Sequence, residues 1–389
     1  MANRVAIVGI GQTYHKSKRK DVNQQELVAE SVRAALSDAQ MSAKDVEAAF
    51  TSNMETFEGI YLPDHLMADE MGAFMKPGLK VCTGGTSGAS VFAEGFHFVA
   101  SGLFDTVFVI GFEKQDAGDT TAAITACVTP VWGKGVATGA IGEFAKQALS
   151  YMDHSGAKEE HAAKVRLKAD RGACRNPYAH LKLGLNSIEE ILSSGYLVWP
   201  IRLLDFCPQS CGACTLILAS EQKARKITKK PVWVADVATV HQEPFRAGSF
   251  GDPTGTEEYS QDIAAERLYK RNGITNPRRD ICMAEIYEPS NWEEMSHYEH
   301  YHFCEKNEGW KMVEKGITEM EGEFPVNPSG GVIATNPIGA TPTLRIAEAA
   351  LQIRGDAGEH QVTRDVHTAV ATALGGPNWT IMTLLKRSL

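Results

Sequence analysis

The chain has 389 residues, 43% of them apolar, enough to bury two cores or one large layered core without disulfide or metal staples. A formal charge of −9 excludes binding driven by general attraction to nucleic acid or acidic membranes, which needs lysines and arginines clustered on one face. No run approaches the length of a membrane span, and eight cysteines scattered along a chain without a signal peptide are expected to be reduced.

The opening MANRVAIVGIG runs straight into a strand pattern, with no basic leader or small-residue cleavage site, so the expected compartment is cytoplasmic. VAIVGIGQT (Val5–Thr13) is near-continuously apolar, as a strand buried on both faces would be. Gln24–Ala39 then places Leu27, Val28, Ser31, Val32, Ala35 and Leu36 on one helical stripe, and a short strand is predicted at Val46–Ser52. KVCTGGTSGAS (Lys80–Ser90) puts three glycines between a strand exit and a helix predicted over Thr86–Ser101, followed by a buried strand at Thr106–Lys114. Strands alternating with helices predict an α/β fold with a layered sheet.

The second half repeats the first. Glu30–Ser52 and Ala264–Glu288 share the order helix, turn, Asp, strand; TSGASVFAEGFHFV matches IGATPTLRIAEAALQI (Ile338–Ile353); and Pro231–Val240 takes the part of Val5–Thr13. Self-similarity at this range predicts a duplication, two similar halves stacked back to back. Between them lies a polar, Gly-rich insertion, Asp116–Phe206, in which Lys164, Arg166, Lys168, Arg171, Arg175 and Lys182 concentrate positive charge. Such a run is either a solvated helix face or a cap contacting the phosphates of a nucleotide-bearing ligand.

In this order, GQT after the first strand, VASGLFDTVFVIGFEK, RNPYAHLK, LLDFCPQSCGAC, VNPSGGVIATNPIGAT and ALGG resemble the thiolases over nearly the whole length, in the branch related to the sterol-carrier-protein-associated thiolases. The resemblance implies a duplicated five-layered α/β/α/β/α fold. It also implies a loop domain over coenzyme A, a homodimer core and a small partner protein carrying a zinc ribbon and an OB-fold. The expected division is 1–115 with 207–230 as the N-terminal half, 116–206 as the loop domain and 231–389 as the C-terminal half. It favours the phosphate-cap reading of the basic run.

The family's nucleophilic cysteine opens a helix a fixed interval before an Ala-Ser-Gly turn. Counted back from Ala100-Ser101-Gly102, its position falls on Gly85, and Cys82 lies three residues earlier in the strand exit, expected as a small buried hydrophobe. The family's His-Asp-Cys-Phe or Asn-Glu-Ala-Phe segment corresponds to Tyr287-Glu288-Pro289-Ser290, its Gly-His-Pro to Thr335-Asn336-Pro337, and its late Cys-x-Gly to Ala373-Leu374-Gly375-Gly376. Nucleophile, activating imidazole and second thiol are thus all replaced, and covalent acyl transfer lacks its thiolate.

What remains is a site for a thioester oxygen: backbone N–H groups of Gly85 and Thr86 beside Gly375 and Gly376 as an oxyanion hole, with Asn336 donating an amide hydrogen. Tyr287 is the candidate for proton transfer in a retro-aldol cleavage, provided neighbouring cations or hydrogen bonds tune its phenol down from about 10; Glu288 assists it or simply ends the strand. Thiolase-like retro-aldolases of steroid side-chain degradation are similar in using tyrosine, although Asn336 departs from a second tyrosine there. The benzoylsuccinyl-CoA thiolase subunit is similar too and implies thiolysis of an aromatic 3-oxoacyl-CoA. In either case the absent side chain at Gly85 is expected to make room for a bulky acyl group. A catalytically silent CoA-binding scaffold is the third reading.

Cys207, Cys211 and Cys214 lack a nearby fourth ligand and are expected to be packing residues rather than a metal site, and His297, His300 and His302 solvated or packed. Gly9-Ile10-Gly11 has Tyr14 where a dinucleotide fingerprint needs its last glycine, so no nicotinamide cofactor is expected. Coenzyme A enters only as part of the substrate.

Overall fold

A computed structural model describes residues 3–127, 139–241, 259–375 and 379–389. Among these described residues nine strands form one sheet in the order β3-β2-β4-β7-β1-β8-β11-β10-β9, and two more, β5 (Tyr196–Val198) and β6 (Ile201–Arg202), form a hairpin. The nine are β1 (Val5–Gln12), β2 (Ala48–Ser52), β3 (Gly78–Val81), β4 (Thr106–Lys114), β7 (Cys211–Ser220), β8 (Val232–His241), β9 (Met283–Glu285), β10 (Thr368–Gly375) and β11 (Trp379–Lys386). The helices that matter below are α1 (Gln24–Ala39), α2 (Ser87–Ser101), α3 (Gly139–Ser155), α4 (Glu159–Arg175), α5 (Ser260–Asn272), α6 (Asn291–His300) and α7 (Thr341–Arg354).

The duplication is written in the strand order. Outward from the seam where Val5 faces Val234 and Ile7 faces Val232, one side runs β1, β7, β4, β2, β3 and the other β8, β11, β10, β9. Directions agree as well: β1–β7, β4–β7, β8–β11 and β10–β11 are antiparallel, whereas β2–β4 and β9–β10 are parallel. Helix α1 follows β1 as α5 follows β8, and α2 precedes β4 as α7 precedes β10. Each pairing of segments drawn from the sequence is therefore a pairing of equivalent elements.

Five layers follow from where the apolar faces go. Val91 and Phe92 of α2 and Leu344, Ile346, Ala347 and Ile353 of α7 share one core with strands of both halves, so these two helices form the middle layer. Their contact is close enough that the Thr343 hydroxyl donates to the Gly88 carbonyl at 3.1 Å. A helix packed on two sides cannot keep a polar face, and α7 is buried from Thr341 through Ala350. Helix α1, capped reciprocally by Asn23 and Glu26 at 2.8 Å each way, covers the outer face of the first half. Helices α3 to α6 pack over the second half, where Ala162, Val165 and Ala169 of the insertion meet Trp292, Met295 and Tyr298.

Two expectations change. Cys82 is exposed, not buried, because β3 is the edge strand and its residues are at best half-buried. The basic run is not a uniform face: Arg166 and Lys168 lie in the interior, Arg166 donating to the Ile333 carbonyl and Lys168 pairing with Glu294. Arg171 and Arg175 are exposed and reach Glu319 and Glu321 at 3.5 and 3.4 Å. Among the described residues no helix is long and apolar enough to cross a membrane.

Candidate active site

The register count places Gly85 in the turn that opens α2, between β3 and the middle layer. The Thr83 amide donates to Ser87 Oγ at 2.9 Å, Thr86 Oγ1 to the Thr83 carbonyl at 2.8 Å, and Ser87 Oγ to the Gly84 carbonyl at 2.6 Å. Gly84, at φ +64, supplies the left-handed residue that the turn requires. Facing it is the end of β10. A Cβ on Gly85 would stand 2.7 Å from the Leu374 carbonyl oxygen and 3.1 Å from Gly375 Cα; a Cβ on Gly375 would stand 2.4 Å from the Thr86 nitrogen. The two backbones touch, so Gly85, Thr86 and Gly375 are brought together as expected; Gly376 lies outside the described residues.

The same Gly85 Cβ would lie 3.4 Å from the Tyr287 hydroxyl oxygen. Tyr287 follows β9, its backbone amide fixed by Thr372 Oγ1 at 2.9 Å, and its ring packs with Cys207 and Val332. A phenol hydroxyl therefore stands where a side chain at position 85 would project. The space is accordingly filled by Tyr287 and the β10 backbone, so the absent side chain does not itself open room for a bulky acyl group. The tuning of the phenol also runs opposite to expectation. Burial, then Cys207, Glu293, Glu288 and Glu113, all hold the Tyr287 hydroxyl well above its ordinary range, which favours the protonated phenol.

Asn336 is held at four atoms. Its amide N–H donates to Ser210 Oγ at 3.0 Å, its carbonyl accepts from Gln115 Nε2 at 2.7 Å, Oδ1 accepts from Thr341 Oγ1 at 2.8 Å, and Nδ2 donates to Cys207 Sγ at 3.1 Å. Ser210 is in turn 2.9 Å from His180 Nδ1, whose pKa burial lowers, favouring the neutral ring. Glu288 is fully buried, but its Oε1 accepts from the amides of Val332 at 2.8 Å and Ile333 at 3.5 Å, which ties it to the turn after Gly331 rather than to Gly85.

Three site residues escaped the sequence reading. Cys207, expected there to be a packing residue, does pack with Tyr287 and Val332 but also accepts from Asn336 Nδ2, and its thiol is pushed up to about 12 by burial. Glu293, in the first turn of α6, is pushed up to about 8 by burial. Glu113, next to last in β4, accepts from the amides of Met54 and Gly339 at 3.0 and 2.9 Å, and is raised by burial and by Glu58. Only Glu113 carried a signal, a carboxylate inside an apolar strand run.

The other cysteines diverge from Cys207. Cys211 Sγ is 3.2 Å from Asp116, and Cys214 lies in the middle-layer core. His297 is buried, His300 pairs with Asp262 at 3.0 Å, and His302 is exposed. Among the described residues no group of three or more His, Cys, Asp or Glu side chains is arranged to hold a metal.

A family profile described as Thiolase C-terminal domain-like matches residues 251–386. The acetyl-CoA acetyltransferase of Methanothermobacter thermautotrophicus is 31% identical over 370 residues, covering 92% of this chain and 93% of that protein. The benzoylsuccinyl-CoA thiolase subunit BbsB of Thauera aromatica is 29% identical, covering 97% and 96%. The solved Ltp2-ChsH2(DUF35) aldolase superposes with a TM-score of 0.82 at 24% identity, covering 100% of this chain and 99% of that one, and establishes likeness of fold. With this fold, and with a relative of that identity matched almost end to end, the chain belongs to the thiolase superfamily.

Proposed function

We propose that this chain breaks or forms the carbon–carbon bond of a 3-hydroxyacyl-CoA by a non-covalent retro-aldol reaction, never becoming acylated itself. The observation that carries the reading is the Tyr287 hydroxyl, 3.4 Å from where Gly85 would bear a side chain. In cleavage the substrate's β-hydroxyl passes its proton to the Tyr287 hydroxyl oxygen, which gives up its own proton in the same relay, as the substrate's C–O bond becomes C=O. The Cα–Cβ bond breaks, and its electron pair passes into the thioester as an enolate. The enolate oxygen is stabilised by the Thr86 amide and Asn336 Nδ2, and Tyr287 carries a proton to the enolate carbon. A bulky acyl group is supported by the name of the BbsB relative rather than by space at Gly85. That name includes the word subunit, and the aldolase neighbour pairs Ltp2 with ChsH2(DUF35); both support a second protein chain in the assembly, which we read as a small zinc-ribbon/OB-fold partner joined to a homodimer core.

One observation favours a second reading, thiolysis of an aromatic 3-oxoacyl-CoA: the match to BbsB spans 97% of the chain. Turnover of Tyr287→Phe and Cys82→Ser, measured with the partner present, separates the two. The retro-aldol reading expects Tyr287→Phe to lose about 10²–10⁴-fold in kcat while Cys82→Ser is unaffected. Loss in Cys82→Ser alone supports thiolysis. No loss in either, with CoA still bound, turns the chain into a scaffold subunit.

A further inference from the structure

Cys207 occupies an unusual place for a residue of no assigned role. Its backbone amide donates to the Pro289 carbonyl at 2.9 Å, and Phe206 bridges Ser290, so the thiol is locked to the segment that carries Tyr287. Asn291 Nδ2 reinforces that seam by donating to Asp205 at 2.9 Å. Across the site, the same thiol takes a hydrogen from Asn336 Nδ2 at 3.1 Å. Cys207 is thus the side chain that joins the proton donor's segment to the amide donor's segment.

We propose that Cys207 is a positioning residue: its sulfur accepts one N–H of the Asn336 carboxamide and so fixes the direction of the second N–H, the one offered to the substrate's oxyanion. This rests on the enolate reading above. An asparagine side chain rotates about its last bond at little cost, whereas an oxyanion donor contributes most when it needs no reorganisation. Thr341 Oγ1 fixes the oxygen end of the amide at 2.8 Å. Sulfur on the nitrogen end completes the orientation, and a residue with only 8% exposure holds it away from competing water. Burial keeps the thiol protonated, as a hydrogen-bond partner rather than a nucleophile.

The test is a double-mutant cycle of Cys207→Ala and Asn336→Ala, with Cys207→Ser as the conservative variant, in the protein assembled with its partner. Two readouts are taken: thermal unfolding, and deuterium exchange into the methyl group of acetyl-CoA in heavy water, which reports enolate formation. Cys207→Ala is expected to slow exchange about ten- to a hundredfold, less than the ~10²–10³ of removing an oxyanion donor outright. Serine, an equally good acceptor, should restore most of the rate, and Cys207→Ala should add no further loss to Asn336→Ala. Unfolding should show a non-additive shift of about 1 °C between the two sites. Additive unfolding, or wild-type exchange in Cys207→Ala, overturns the proposal and leaves the enolate reading standing. Absence of exchange in the wild type with the unfolding coupling intact overturns the enolate reading, and the positioning role with it. An acetyl adduct on Cys207 would also overturn it, making the sulfur a nucleophile.

Discussion

Adding a single carbon at position 85 tests the geometry on which the site depends. Gly85→Ala and Gly85→Cys place the same Cβ 2.7 Å from the Leu374 carbonyl oxygen, short of an ordinary contact by roughly half an ångström or more. It also meets Gly375 Cα at 3.1 Å, and the obstacles on that side are backbone atoms that cannot change rotamer. The β10 end cannot simply retreat, since Gly375 is itself packed on the Thr86 amide. Relief requires moving the touching Gly85–Thr86 and Leu374–Gly375 backbones, at about 1–3 kcal/mol of overpacking cost. In thermal unfolding, both variants are expected to melt a few degrees below wild type. Both should lose turnover to a similar degree, because the lost contact is the donor geometry and not anything the thiol supplies. Intact-mass measurement after incubation with acetyl-CoA should find no acyl adduct on Gly85→Cys. A Gly85→Cys protein that melts with the wild type and carries a stoichiometric thioester would refute the reasoning, because the site would then lack only a sulfur.

Lys168→Met leaves Glu294 buried without its ion-pair partner and is expected to cost about 3–5 kcal/mol in chemical denaturation, whereas Arg171→Ala and Arg175→Ala, on exposed pairs, should each cost under about 1 kcal/mol. Glu293 has a folded pKa raised from 4.5 to about 8, so above pH 4.5 the unfolded chain releases a proton that the folded one keeps. Stability should therefore fall as pH rises through that window, by on the order of a few kcal/mol, and Glu293→Gln should flatten the profile of denaturation midpoint against pH.

What was legible in the sequence is what local pattern controls. The continuous apolar run at Val5–Thr13 became a strand buried along its whole length, and the repeated helix-turn-strand segments became equivalent elements of the two halves. The count from Ala100-Ser101-Gly102 lands on the turn that opens α2 because that helix is uninterrupted from Ser87 to Ser101 and closed by Gly102 at φ +82, so residue number maps directly onto position. The basic run misled because charge density says nothing about what lies on either side of a helix. Helix α4 is enclosed, and Glu294 and the Ile333 carbonyl wait for Lys168 and Arg166 inside. Cys207 was invisible for a different reason. It is 129 residues from Asn336 and meets it only because β7 and the turn after Gly331 converge on one end of the sheet.

The protonation of the site argues for chemistry that consumes and releases no net proton. Around Tyr287 every strong influence raises its pKa, and those neighbours are raised too: Cys207 to about 12, Glu293 to about 8, Glu288 and Glu113 well above the carboxylate range. The centre thus gathers groups whose charged forms burial disfavours, the Tyr287 phenol and the Cys207 thiol foremost. Such a set cannot supply a resting thiolate, because forming one there would place an unpaired negative charge against further acids. It is well suited to an anion that exists only fleetingly, since an enolate oxygen arriving among donors finds partners already oriented. In a retro-aldol cleavage the β-hydroxyl gives up one proton and the α-carbon takes one up, so a single neutral phenol can accept the first as it delivers its own. The burial that disqualifies Tyr287 as a free-standing base is, on this account, what keeps its own proton in place for that delivery.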